Sequence, residues 1–206
     1  MNLRAVYPRR AVAVAACFVT IVVPLASCGS DGGRELVGYT LEPAPQVDAV
    51  ALPDVSRGGE PFELRAQPAG LLVVYFGYTN CPDVCPTTMS DLRTALRQLG
   101  DDADRVEVAM VTIDPERDTP VLADYVSSFV DGGHALATDD AAELRAAADP
   151  FGVSYLVESN AAGEIEVAHS PQLYVVDDAG RLALTWQFGV PADDLAGDLE
   201  QLLESA

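Results

Sequence analysis

The run Leu71–Tyr78, LLVVYFGY, constrains this chain more than any other stretch. It is apolar throughout, rich in β-branched and aromatic residues, and too short for a helix, so it reads as a strand buried on both faces. Such a strand belongs at the centre of a sheet with a covering layer on each side. The segments downstream supply the layers. Met89, Leu92, Leu96 and Leu99 recur at helical spacing and stop at Gly100, while Pro86 suits the first helical position and places Cys85 at the cap. RVEVAMVTID then reads as a strand, TPVLADYVSSFV as a helix capped by Thr119, HALAT as a short strand and DAAELRAAA as a helix. IEVAHSPQLYVVDDAGRLALTWQFG reads as two strands around the turn DDAG, and PADDLAGDLEQLLES as a closing amphipathic helix. Upstream, two short extended runs flank SRGG as a β-hairpin that opens the domain. The expectation is one α/β domain, a central mixed sheet flanked by helices with an N-terminal hairpin extension.

The segment 1–27 is of a different kind. Arg4, Arg9 and Arg10 precede an uncharged run, Ala11–Ser27. That run is shorter than the span of about 20 residues that a membrane helix needs, and it contains Pro24. A positive start followed by a short apolar run is an export-signal pattern. The run ends in LASC, which resembles the lipobox of bacterial lipoproteins and implies a lipidated Cys28 as the mature N-terminus. An uncleaved membrane helix is the competing reading. On either, the rest of the chain is exported, at the outer face of the cell membrane or in a periplasm. Residues 28–44, opening with CGSDGG, are expected to act as a flexible tether, and residues 45–206 as the domain.

The formal charge of the whole chain is −20, and losing the three arginines of the leader takes it to −23. So acidic a surface repels nucleic acid phosphates, and no basic patch argues otherwise.

Of the four cysteines, Cys17 falls in the leader and Cys28 at its end, which leaves the domain one pair, Cys81 and Cys85, in NCPDVCP. In an exported protein a lone pair is first read as a disulfide. A disulfide closing so small a loop removes little unfolded-state entropy, however, and a thiol at a helix N-terminus is shifted toward the thiolate. The same two sulfurs suit a redox pair. They also suit a soft metal such as copper(I), with an imidazole extending the site to copper(II). There are only two histidines, His134 and His169. His134 in DGGHALA reads as a surface or turn residue. His169 lies far beyond Cys85 in the chain, at the start of a strand, and spacing alone does not bring the two together.

Three blocks, YFGYTNCPDVCPTTM, VTIDPERDTP and HSPQLYVVD, in this order and at these intervals, resemble the Sco/SenC family of copper proteins. The likeness covers about residues 45–206 and implies a thioredoxin-like fold. Carried over residue by residue, it places copper ligands at Cys81, Cys85 and His169. It implies a copper chaperone serving the binuclear copper site in subunit II of cytochrome c oxidase, with other copper chaperones or thioredoxin-like reductases as further partners. The alternative is a thiol–disulfide oxidoreductase with Cys81 attacking and Cys85 resolving. Asp83, Asp114, Arg117 and Asp118 are candidates for shaping the site or a docking face, but carboxylates beside proline also fix turns, and the turn role is the favoured reading. Pro171 departs from the family pattern and falls where oxidoreductases of this fold carry a cis-proline.

Overall fold

The computed structural model describes residues 34–206. The leader and Cys28 lie outside them. Among the described residues no helix is long and apolar enough to cross a membrane.

The strands are β1 Ala51–Asp54, β2 Glu60–Glu63, β3 Leu71–Gly77, β4 Val106–Thr112, β5 His134–Leu136, β6 Tyr155–Ser159, β7 Ile165–His169, β8 Leu173–Val176 and β9 Leu182–Trp186. The helices are α1 Val84–Leu99, α2 Pro115–Asp118, α3 Leu122–Phe129, α4 Ala141–Ala148 and α5 Ala192–Glu204. Seven strands form one sheet in the order β2-β1-β5-β4-β3-β8-β9, while β6 and β7 form a separate hairpin. In the sheet β3 pairs in parallel with β4, which pairs in parallel with β5; the other pairings are antiparallel.

β3 lies in the interior of the sheet between β4 and β8, as its composition requires, and every one of its residues is buried. Its side chains alternate between two cores. Leu71, Val73 and Tyr75 face the layer of α1, α3 and α5, with Met89, Leu92, Leu122 and Leu199. Leu72, Val74 and Phe76 face Leu52, Leu64, Leu144 and Phe151. Each large side chain so buried stabilises the fold by roughly 1.5–3 kcal/mol. The face bearing Tyr75 also carries Cys81 and Cys85.

Four local expectations need correction. α1 starts at Val84, so Cys85 and Pro86 are its second and third residues. Pro86 is accommodated there because the first four N–H groups of a helix have no intrahelical acceptor. Thr119 does not cap α3; it ends α2, where its hydroxyl donates to the Pro115 carbonyl at 2.7 Å. The stretch 165–176 is two strands, broken at Ser170–Gln172, with β7 paired to a β6 absent from the sequence reading. His169 therefore ends a strand instead of starting one. Lastly, His134 is buried, with Nδ1 2.8 Å from Asp54 and Phe62 stacked at 3.8 Å.

Residues 34–44, assigned to the tether from sequence, run beside β9. Tyr39 exchanges backbone hydrogen bonds with Thr185, and the N–H groups of Val37 and Gly38 donate to the buried Asp198.

Candidate metal centre

β3 and β8 are antiparallel neighbours, with Tyr75 opposite Leu173. The end of β3 therefore meets the beginning of β8. The loop leaving β3 carries Cys81, and the chain arriving at β8 carries His169. This pairing is what brings together residues that spacing leaves apart.

The loop is set by the start of α1. Asp83 occupies the cap position, but its side chain makes no capping bond. The Cys81 sulfur does so instead, accepting from the Cys85 N–H at 3.2 Å. Burial pushes the Cys81 thiol up, but hydrogen bonds from the Cys85 N–H and thiol, the Asp83 N–H and the Tyr78 hydroxyl outweigh it and hold the pKa below the ordinary thiol value. Cys85 is deeper and burial pushes it up to about 12. Both thiols are free. One sulfur is thus poised for ionisation and the other is protonated until something compensates its charge.

His169 presents its Nε2 to Cys85 Sγ at 3.7 Å. Its Nδ1 lies 3.0 Å from the Ser170 carbonyl, which can only accept, so Nδ1 carries the proton and the Nε2 lone pair faces the sulfur. Burial holds the imidazole pKa below its usual value, which keeps the ring neutral at pH 7. Tyr75 and Tyr78 pack edge-on against the ring, with centroids at 6.2 and 5.7 Å. The sulfur–nitrogen separation can be tested against a shared ion. Metal–sulfur and metal–nitrogen bonds of about 2.3 and about 2.0 Å, meeting at about 120°, put sulfur and nitrogen about 3.7 Å apart. The pair stands at the distance a trigonal ion needs. Among the described residues no three such donors are already gathered around one point, and the Cys81 sulfur is turned to the helix N–H.

The remaining candidates separate clearly. Asp83 is exposed beside the cysteines. Asp114 is buried and paired with Arg117, while its N–H donates to Thr112 Oγ1 at 3.0 Å. Pro171 is half-buried two positions past His169, and the one cis peptide bond among the described residues is Glu42–Pro43, so Pro171 is not a cis-proline. Sequence reasoning missed the tyrosines. The hydroxyls of Tyr75 and Tyr125 are buried without a partner, and both residues lie in the core that holds the cysteines. Burial pushes both phenols up, and the neighbouring Cys85 adds to the shift. Tyr75 had a signal, since it shares the inward parity of Leu71 and Val73 and points toward whatever comes after the strand.

The SCO1/SenC family profile matches residues 55–204. The apo Sco1 protein of Thermus thermophilus superposes with a TM-score of 0.69 at 33% identity, covering 81% of this chain and 96% of that one. Bradyrhizobium japonicum ScoI, solved with copper bound, superposes with a TM-score of 0.63 at 28% identity, covering 74% and 99%. An SCO2-like protein of Rickettsia prowazekii is 28% identical over 144 residues, 68% of this chain and 70% of that one. The architecture is accordingly thioredoxin-like, and with well over half its length matched, the chain belongs to the SCO1/SenC family.

Proposed function

We propose that this protein is an exported, membrane-tethered copper metallochaperone whose cargo is held by Cys81, Cys85 and His169 and delivered to the binuclear copper site of cytochrome c oxidase subunit II. The observation that carries the reading is the approach of His169 Nε2 to Cys85 Sγ at 3.7 Å, with Nδ1–H committed to the Ser170 carbonyl. A lone pair aimed at a sulfur in this way is there for an ion or a proton. Two thiolates and a neutral imidazole suit copper(I), and the nitrogen also supports copper(II). The copper-bound relative and the family resemblance support copper over zinc. Tethering through Cys28 rests on the LASC pattern. Cys81, shallower and readier to ionise than Cys85, is the donor a partner's thiolate displaces first.

The full chain, purified with its dithiol reduced, is expected to bind one copper per molecule and to show a sulfur-to-copper(II) charge-transfer band. His169→Ala should lose that band and weaken copper(II) binding, leaving both thiols reactive. Unchanged copper(II) binding in this variant overturns the ligand set.

The asymmetry of the thiols favours a second activity. The Cys81 thiolate attacks a partner's disulfide, forming a mixed disulfide and releasing one partner thiol; Cys85 then attacks Cys81, releasing the second. Two electrons pass to the partner, and Cys81 and Cys85 end as a disulfide. Cys85→Ser should trap the mixed disulfide, and failure to trap any partner while copper transfer proceeds removes this reading.

A further inference from the structure

The block DPERDTP is not accounted for by the ligand set. Its last acidic residue, Asp118, is wholly buried. Its carboxylate accepts three hydrogen bonds: from the Thr79 N–H at 2.9 Å, the Thr79 hydroxyl at 2.5 Å and the Thr112 hydroxyl at 2.6 Å. Thr79 stands two positions before Cys81. Thr112 ends β4, directly opposite Gly77 at the end of β3.

A buried carboxylate is costly unless its oxygens are satisfied, and here two of its three donors belong to one residue of the cysteine loop. The segment 112–119 is built to present it. Thr112 Oγ1 accepts from the Asp114 N–H, Arg117 pairs with Asp114, and the Thr119 hydroxyl ties the last turn of α2 to the Pro115 carbonyl. Ile113 N–H donates to the Gly77 carbonyl at 3.0 Å, so the loop is fixed at its root as well. At its far end the Cys81 sulfur takes the Cys85 N–H. Between the Gly77 root and Cys81, Thr79 is the one residue that these side-chain bonds hold.

We infer that Asp118 is a positioning residue for copper binding: by holding both the N–H and the hydroxyl of Thr79, it sets the path of the cysteine loop and so the placement of the Cys81 sulfur. This rests on the ligand set proposed above. Charge-assisted hydrogen bonds of this kind are the strong ones, and residues standing behind metal ligands typically alter affinity about 10–100-fold.

The test uses the full chain with its dithiol reduced, and the variants Thr79→Val, Thr79→Ser and Asp118→Asn. Asp198→Asn is the control. That carboxylate is equally buried and accepts from Val37, Gly38 and the Trp186 Nε1–H, but it lies on α5 away from the loop. Thr79→Val and Asp118→Asn are expected to weaken copper(II) about 10-fold and to shift the charge-transfer band. Thr79→Ser should restore both, and Asp198→Asn should lower the melting temperature with the band unmoved. The alkylation rate of Cys81 in the copper-free protein is read alongside, and it should change in Thr79→Val and return in Thr79→Ser. Wild-type band position, copper affinity and Cys81 alkylation in Thr79→Val overturn the inference, as does a band shift of the same size in Asp198→Asn. If the wild type binds no copper, the proposed function fails, and the alkylation rates alone still decide whether Asp118 positions Cys81.

Discussion

The two histidines of this chain lie in opposite chemical settings. His134 begins β5 with both nitrogens directed at carboxylates, Nδ1 at Asp54 2.8 Å away and Nε2 at Glu107 3.5 Å away, and its ring lies on Phe62. His169 ends β7 with one nitrogen on a backbone carbonyl and the other on a sulfur. The first imidazole has both nitrogens turned to carboxylates, so neither faces a sulfur. The second has its Nε2 lone pair aimed at one. Both rings are withdrawn from solvent, so what separates a structural histidine from a ligand is the chemistry of the two partners its nitrogens meet.

Exchanging the roles should prove impossible, and this gives the largest expected effect. His169→Ala should weaken copper(II) by at least about 100-fold, because even partners standing behind ligands are worth about 10–100-fold. His134→Ala should leave copper affinity and the charge-transfer band unchanged. A loss of copper in the second variant comparable to the first breaks the distinction.

Stability should show the reverse order. Asp54 is the hub that joins the β1–β2 hairpin to β5: besides His134 it accepts from Ser56 N–H and hydroxyl, Arg57 and the Ala135 N–H. The β1–β5 register is the single pair Asp54–Leu136, joined by the Ala137 N–H bond to the Pro53 carbonyl, so the bonds of Asp54 to His134 and to the Ala135 N–H carry much of the attachment. Removing the His134 ring empties the space beneath Phe62 and costs Asp54 one donor; about 2–3 kcal/mol of unfolding free energy in urea is the expected loss. His169→Ala, at the end of a two-stranded hairpin, should cost less than about 1 kcal/mol. The same hub sets an acid limb. Burial pushes the Asp54 carboxyl up, but its hydrogen bonds outweigh this and hold it below the ordinary carboxylate value; Glu107 is held down chiefly by its bond to His134. A carboxyl depressed in the folded state contributes stability that is complete above its unfolded pKa and is lost as pH falls through the folded one. Urea midpoints should therefore fall below about pH 4. In Asp54→Asn the fall should be shallower from a lower starting value, and an unchanged acid slope would show that other carboxylates govern it.

How much of this was legible in the sequence depends on where the determining contacts lie. The buried strand β3, the helices α1 and α4 and the opening hairpin announce themselves by local rules, since periodicity and turn chemistry are properties of neighbouring residues. β6 and its pairing with β7 were missed because YLVES is mostly exposed and short, and IEVAH was read as the start of one longer strand. His169 was legible as a ligand only through the family resemblance, since its meeting with Cys85 is made by the β3–β8 pairing, a contact across the chain that no local pattern encodes. His134 was misread for the same reason: Gly132–Gly133 beside it suggests a turn, whereas the carboxylates that face it, Asp54 and Glu107, come from other strands far upstream. Asp118 stood in a recognised block, but as a turn residue; only the fold shows that its donors come from the cysteine loop.

The smallest expected effect refines the contrast within the metal centre. Tyr78 does two things there, packing its ring edge-on to His169 and helping, through its hydroxyl, to lower the Cys81 pKa. Tyr78→Phe keeps the first and removes the second. Since the groups of Cys85 and Asp83 that also lower the Cys81 pKa remain, the thiol pKa should rise only slightly. Iodoacetamide rates measured across pH report this directly. Cys81 should react well ahead of Cys85 in both proteins, because Cys85 is fully buried and pushed up to about 12, and the Cys81 profile should move to higher pH in the variant. Copper(II) affinity should change only a few-fold, because the ring that orients His169 remains. A large copper loss with no movement of the Cys81 profile would mean that the hydroxyl acts on the imidazole and not on the sulfur.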